Sequence, residues 1–151
     1  MLIGVPTEIK ADERRVSLSP AGAAAFRTHA HRVIVQSGAG VGSGFSDREY
    51  REAGALIVRA PGEVWGRADM VVKVKEPQRT EFRYLRPGKI LFTYLHLAPD
   101  KRLAHELVKQ HVRAPATSTA PMTRSAWRTS SSMVARLDIT VVACPPRRSL
   151  K

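Results

Sequence analysis

Between Leu2 and Val112 the chain repeats one pattern: a run of four or five mostly apolar residues, a turn signal, then a stretch with helical spacing. The runs are Leu2 to Val5, Arg32 to Gln36, Leu56 to Arg59, Met70 to Val74 and Ile90 to Tyr94. Strands covered on both faces read as continuous apolar runs rather than as alternation, and strands separated by helices must pair in parallel. The expected fold class is therefore α/β, an open, mostly parallel sheet of about five strands with flanking helices.

The helix boundaries are written in cap chemistry. Ser19-Pro20 supplies an N-cap and an N1 proline for an Ala-rich helix to about Thr28. Ser46 and Glu49 have capping-box spacing, and Gly54 is placed as the C′ stop of that helix. A short helical segment is expected around Val64, and Pro87-Gly88 marks the turn into the fifth strand. Asp100 can cap a last amphipathic helix in which Leu103, Leu107 and Val108 share a face.

After Val112 the texture changes. All ten glycines and all five histidines precede that point, whereas residues 113 to 151 hold eleven Ser and Thr and four Pro. Half of the net charge of +12 sits there too: 18 Lys and Arg against 12 Asp and Glu up to Val112, then 7 against 1. The chain thus divides into a folded unit, 1–112, and an irregular basic segment, 113–151, with one apolar patch from Leu137 to Ala143. That segment reads either as a disordered tail or as the product of a shifted reading frame. Its arginines are scattered and Trp127 is its one aromatic, which argues against nucleic acid as a partner.

Several classes fall away on composition. A single Cys144 cannot form an internal disulfide, and no Cys/His spacing suits zinc, so no metal site is expected and a reducing, cytoplasmic setting fits. No apolar run approaches the roughly 18 residues of a membrane span, and the first residues lack a charged n-region followed by an apolar h-region, so export is not expected.

Three cationic groups stand just past strands, where ligands gather in open α/β sheets. Arg15 lies in Glu13-Arg14-Arg15-Val16-Ser17 after the first strand, and its planar fork suits a carboxylate, though a solvated loop arginine fits the same pattern. Lys75 ends Val71-Val72-Lys73-Val74-Lys75, where alternation sends Lys73 and Lys75 to one side. It could polarise a carbonyl oxygen or simply face solvent. His96 follows Ile90 to Leu95 and is either a proton shuttle near neutral pH or a satisfied structural histidine. The glycines from Gly38 to Gly44 recur every second residue, which breaks the G-x-G-x-x-G spacing. The acidic residue expected about 20 positions on, at a ribose-binding strand, is missing, with Val58 and Arg59 in that region, so tight turns rather than a phosphate cradle are expected.

The blocks Leu2 to Lys10, Glu13 to Pro20, Gly38 to Phe45, Lys73 to Pro77 and Leu91 to Ala98, in this order, closely resemble the N-terminal substrate domain of the alanine dehydrogenase/pyridine nucleotide transhydrogenase family over about residues 1–112. The Lys-Glu-Pro and Tyr-Leu-His-Leu-Ala blocks resemble alanine dehydrogenase more than the transhydrogenase α-subunit. The resemblance implies NAD-dependent interconversion of L-alanine with pyruvate and ammonium in a homo-oligomer. It implies that Arg15 grips the substrate carboxylate, Lys75 polarises the ketone oxygen and His96 donates and accepts the proton. Members of the family continue into a Rossmann domain that binds NAD and adds a catalytic Asp. Nothing in these 151 residues reads as that domain, so no cofactor-binding residue is assigned and the isolated polypeptide is expected to be an inactive, truncated dehydrogenase carrying the substrate half. The competing readings are a stand-alone module that binds 2-oxo or amino acids, and a transhydrogenase-like fragment.

Overall fold

A computed structural model describes residues 1–95 and 100–114. His96 and everything from Pro115 onward, which includes nearly all of the expected tail, lie outside the described residues.

The five apolar runs form one five-stranded sheet: β1 (Leu2–Val5), β2 (Arg32–Gln36), β3 (Leu56–Val58), β4 (Met70–Lys75) and β5 (Ile90–Tyr94). Every pairing is parallel and the strand order is β3-β2-β1-β4-β5. The chain winds outward from β1 through β2 to β3, then crosses back to place β4 on the other side of β1. That reversal opens a crevice between the C-terminal ends of β1 and β4.

Helices cover both faces, as continuous apolar strands require. Helices α1 (Pro20–Thr28) and α2 (Asp47–Glu52) close one face, where Phe26, Ala23 and Tyr50 join Ile3, Val5, Val33, Val35, Met70 and Val72 in one core. Helices α3 (Pro61–Arg67) and α4 (Lys101–Lys109) lie on the other, where Trp65, Leu103 and Leu107 pack with Val71 and Leu91. The caps sit where the residues place them. Ser19 Oγ accepts from the Gly22 amide, the Ser46/Glu49 box is closed in both directions, and Asp100 accepts from the Arg102 and Leu103 amides. Gly54 follows the Ala53 C-cap with φ of 84°, a left-handed conformation that glycine adopts without strain.

One expectation about α4 fails. Leu103 and Leu107 are buried, but Val108 is 74% exposed. At about 100° per residue, Val108 stands about 140° around the helix from Leu103 and so leaves the face that Leu107 shares. A 3-10 helix from Arg79 to Tyr84 has no counterpart in the sequence reading. Its signal was a second capping box, Gln78 with Glu81, attached to a segment too short for apolar periodicity.

At the far edge of the sheet Arg113 forms a parallel bridge to Ile90, donating its amide to the Lys89 carbonyl and accepting from the Leu91 amide. Among the described residues, no helix is long and apolar enough to cross a membrane.

Candidate functional site

The loop from Pro6 to Ser19 leaves β1 at the crevice and is fastened to its surroundings at several points. Gly42 makes one of them possible: a Cβ there would lie 2.2 Å from the Arg14 carbonyl oxygen, so only glycine lets the two segments approach. Next to it, Ser43 Oγ accepts from the Val16 amide at 3.0 Å. Ser17 Oγ donates to the Val72 carbonyl of β4 at 2.8 Å. The glycine-rich segment thus seats the arginine loop. Its tight turns are those expected from the spacing, and a Cβ at Gly40 or Gly42 would strike this chain's own Tyr50, Phe45 or Arg14 atoms. The space over Gly40 and Gly42 is filled by protein, whereas Gly38 and Gly44 face open space in the left-handed conformation of tight turns.

Arg15 is held by its near neighbour. Its Nε and Nη2 donate to the two carboxylate oxygens of Glu13 at 2.8 and 2.6 Å, and its backbone amide adds a third bond at 2.9 Å. The Glu13 side chain is 6% exposed and that of Arg15 65%, so the carboxylate lies inside and the guanidinium reaches out. Those hydrogen bonds from Arg15, helped by the charge of Lys75, hold the Glu13 carboxyl down to about 2. Glu13 is therefore an anion throughout the neutral range.

Lys75 ends β4 beside Tyr94 of β5, its register partner. The ladder shifts between Val72 and Lys75, so the strict alternation expected to send Lys73 and Lys75 to one side is interrupted there. The two lysines have different surroundings. Lys73 has no exposed side-chain surface and sits between Glu81, at 2.9 Å, and Glu8, at 3.1 Å. Burial of Glu8 raises its carboxyl above the ordinary 4.5 against the opposing pull of Lys73. The other Glu8 oxygen accepts from the Val74 amide at 2.6 Å, which the interrupted ladder would otherwise leave without a partner. Glu8 thus ties the β1 loop to the end of β4, across the crevice and immediately before Lys75.

Sequence reasoning did not single out Glu8, Glu13, Lys73, Glu81 or Gly42. The usable signal was the density of acidic residues around the cations. An Arg or Lys that must keep one geometry near a strand end needs a carboxylate to fix it.

Arg15 and Lys75 stand at the same end of the sheet, on segments that leave neighbouring strands. They come from the loop after β1 and the end of β4, neighbours in the sheet. His96 follows the end of β5, the strand next to β4, but lies outside the described residues. Of two surface hollows of about 400 and 370 Å³, the first lies at the 3-10 helix and α4, and the second opens beside the crevice, between Ile9, Lys10 and Ala11 of the β1 loop and Glu76 just past β4; neither is lined by Arg15 or Lys75. Among the described residues, no group of three His, Cys, Asp or Glu could hold a metal.

The model of the alanine dehydrogenase/PNT N-terminal domain matches residues 4–135. The chain belongs to this family. An alanine dehydrogenase of Staphylococcus saprophyticus is 51% identical over 122 residues, which cover 81% of this chain and 33% of that protein. A solved L-alanine dehydrogenase superposes with a TM-score of 0.75 at 43% identity, covering 77% of this chain and 32% of the other. A solved transhydrogenase of Sinorhizobium meliloti gives 0.72 at 23% identity over 77% of this chain and 34% of its own, a likeness of fold alone. The chain spans about a third of the length of the curated relatives it matches. Every acidic and basic residue of the crevice named above lies within the family match.

Proposed function

We propose that residues 1–112 carry the substrate half of an L-alanine dehydrogenase site and that residues 113–151, which start from the Arg113 bridge at the sheet edge, form a basic segment beyond it. The observation that carries this reading is the placement of Arg15 and Lys75 at the C-terminal ends of the neighbouring strands β1 and β4, in a chain of the alanine dehydrogenase/PNT family. Arg15 offers its guanidinium to the carboxylate of pyruvate or L-alanine. Lys75 directs its ammonium at the ketone oxygen, where negative charge grows as the carbonyl carbon accepts a hydride. His96, two positions after Tyr94 in the sequence, supplies and receives the proton on that oxygen in this reading.

NAD belongs to this reading as the hydride carrier. The broken glycine spacing and the packing over Gly40 and Gly42 support no dinucleotide role for that segment, so the groups named here are assigned to the 2-oxo acid alone. The 151-residue polypeptide is accordingly proposed to bind substrate without turning it over. A cytoplasmic setting and homo-oligomeric assembly belong to the same reading, with neither nucleic acid nor a membrane as partner.

Calorimetric titration of the full chain with pyruvate tests the proposal. Binding in the millimolar range is expected, weakened at least tenfold by Arg15→Ala or Lys75→Met, since each removes one charge-assisted contact worth about 1.5–3 kcal/mol. No heat at millimolar pyruvate sinks the substrate reading. Oxidation of NADH with pyruvate and ammonium by the 151-residue chain, lost on His96→Ala, would overturn the claim of inactivity alone.

A further inference from the structure

A guanidinium carries five N–H donors arranged along two edges that can each grip a carboxylate. In Arg15 the edge formed by Nε and Nη2 is already taken by both oxygens of Glu13. What remains is the end-on edge formed by Nη1 and the second Nη2 hydrogen, carried on a side chain that is 65% exposed. Glu13 itself has little freedom. It also accepts from the Arg15 backbone, and the intervening Arg14 is seated against Gly42 while Val16 and Ser17 are bonded to Ser43 and Val72. The pair is two residues apart in one anchored loop, so holding it in shape costs little conformational entropy.

The charges make a second point. Arg15, Lys75 and Glu13 together carry one net positive charge, the complement of a single carboxylate. The cluster behind them, Lys73 between Glu8 and Glu81, has more carboxylates than cations and adds no positive charge. Arg15 and Lys75 are the two cations assigned to the substrate, so a ligand with a second carboxylate would bring a further negative charge toward the Glu13 anion.

We propose that Glu13 is a positioning and specificity residue: it fixes one edge of Arg15, leaves the other for a single carboxylate, and by its charge excludes 2-oxo dicarboxylates. This rests on the reading of the crevice as a 2-oxo acid site. Glu13 touches Arg15 and acts through it, and discrimination comes from repulsion of the wrong ligand as much as attraction of the right one.

The test compares 2-oxopentanoate with 2-oxoglutarate, which differ by a terminal methyl against a carboxylate, in calorimetric titrations of the full chain. The wild type is expected to favour the monoacid by about tenfold or more, the scale of one uncompensated charge at a partly solvated site. Glu13→Gln should narrow that preference about tenfold, and Glu13→Asp, which keeps the charge, should retain it. A merely structural Glu13 would weaken both ligands alike. In the ligand-free wild type, NMR should find the Arg15 Nε–H protected from exchange.

An unchanged ratio in Glu13→Gln overturns the inference and leaves the substrate reading standing. A wild type that binds both acids equally, or whose Arg15 Nε–H exchanges as fast as an exposed arginine, overturns it without recourse to any variant. A wild type that binds neither these acids nor pyruvate overturns the inference and the substrate reading together.

Discussion

Lys73 shows how a residue can be decisive without facing a ligand. Its ammonium is wholly buried between Glu8 and Glu81, and no replacement of similar size can satisfy two carboxylates at once. Removing it leaves uncompensated buried charge, so Lys73→Met should destabilise the chain by about 3–5 kcal/mol at neutral pH, measured by urea unfolding. The sign of the pH dependence follows from Glu8, whose carboxyl is raised by burial. The cost of burying it charged is absent below its ordinary 4.5 and grows as pH rises through the higher folded value. The deficit of Lys73→Met should therefore shrink on acidification, and a deficit unchanged down to the ordinary value would contradict this account. From the sequence Lys73 and Lys75 looked alike, because both are lysines in one strand. The difference lies in acidic partners 65 residues earlier and eight residues later, which no local pattern reveals.

Elements that end on their own cap chemistry were legible. The limits of α1, α2 and α4 follow from Ser19-Pro20, Ser46 with Glu49 and Gly54, and Asp100, because each cap satisfies backbone donors or carbonyls locally. Elements shaped by distant contacts were not legible. The irregular end of β4 depends on a Glu8 oxygen reaching the Val74 amide, and the 3-10 helix is pinned through Glu81 to Lys73. The glycine-rich segment falls between the two: its turns were read correctly, yet its role as a seat for the arginine loop needed the fold. Gly42→Ala tests that role. The added methyl must displace the Arg14 carbonyl, at a cost of about 1–3 kcal/mol. Pyruvate affinity should fall with it, whereas Gly66→Ala, where a Cβ meets nothing within 4 Å, should leave affinity unchanged. Equal effects of the two in parallel titrations would count against the seat.

At the scale of the molecule, the strand order does what no single motif could. Arg15 and Lys75 are 60 positions apart, and only the placement of β4 beside β1 makes them neighbours. The sequence supported a parallel sheet and strand-end chemistry but contained nothing that orders the strands, since apolar runs carry no pairing code. His96 stays an expectation from the family pattern.

The Glu8 to Val74 hydrogen bond also has a kinetic side. An amide that donates to a side chain from 66 residues away cannot exchange with solvent unless the β1 loop lifts or β4 loosens. The Val74 amide should therefore exchange as slowly as the core ladder in the wild type and at least tenfold faster in Glu8→Ala, while the Ile34 amide deep in β2 is unaffected. If both amides keep their rates, the loop and the strand open independently. If they behave as expected, the segment bearing Arg15 and the strand bearing Lys75 breathe as one unit, and a ligand gripping either would quiet the motion of both.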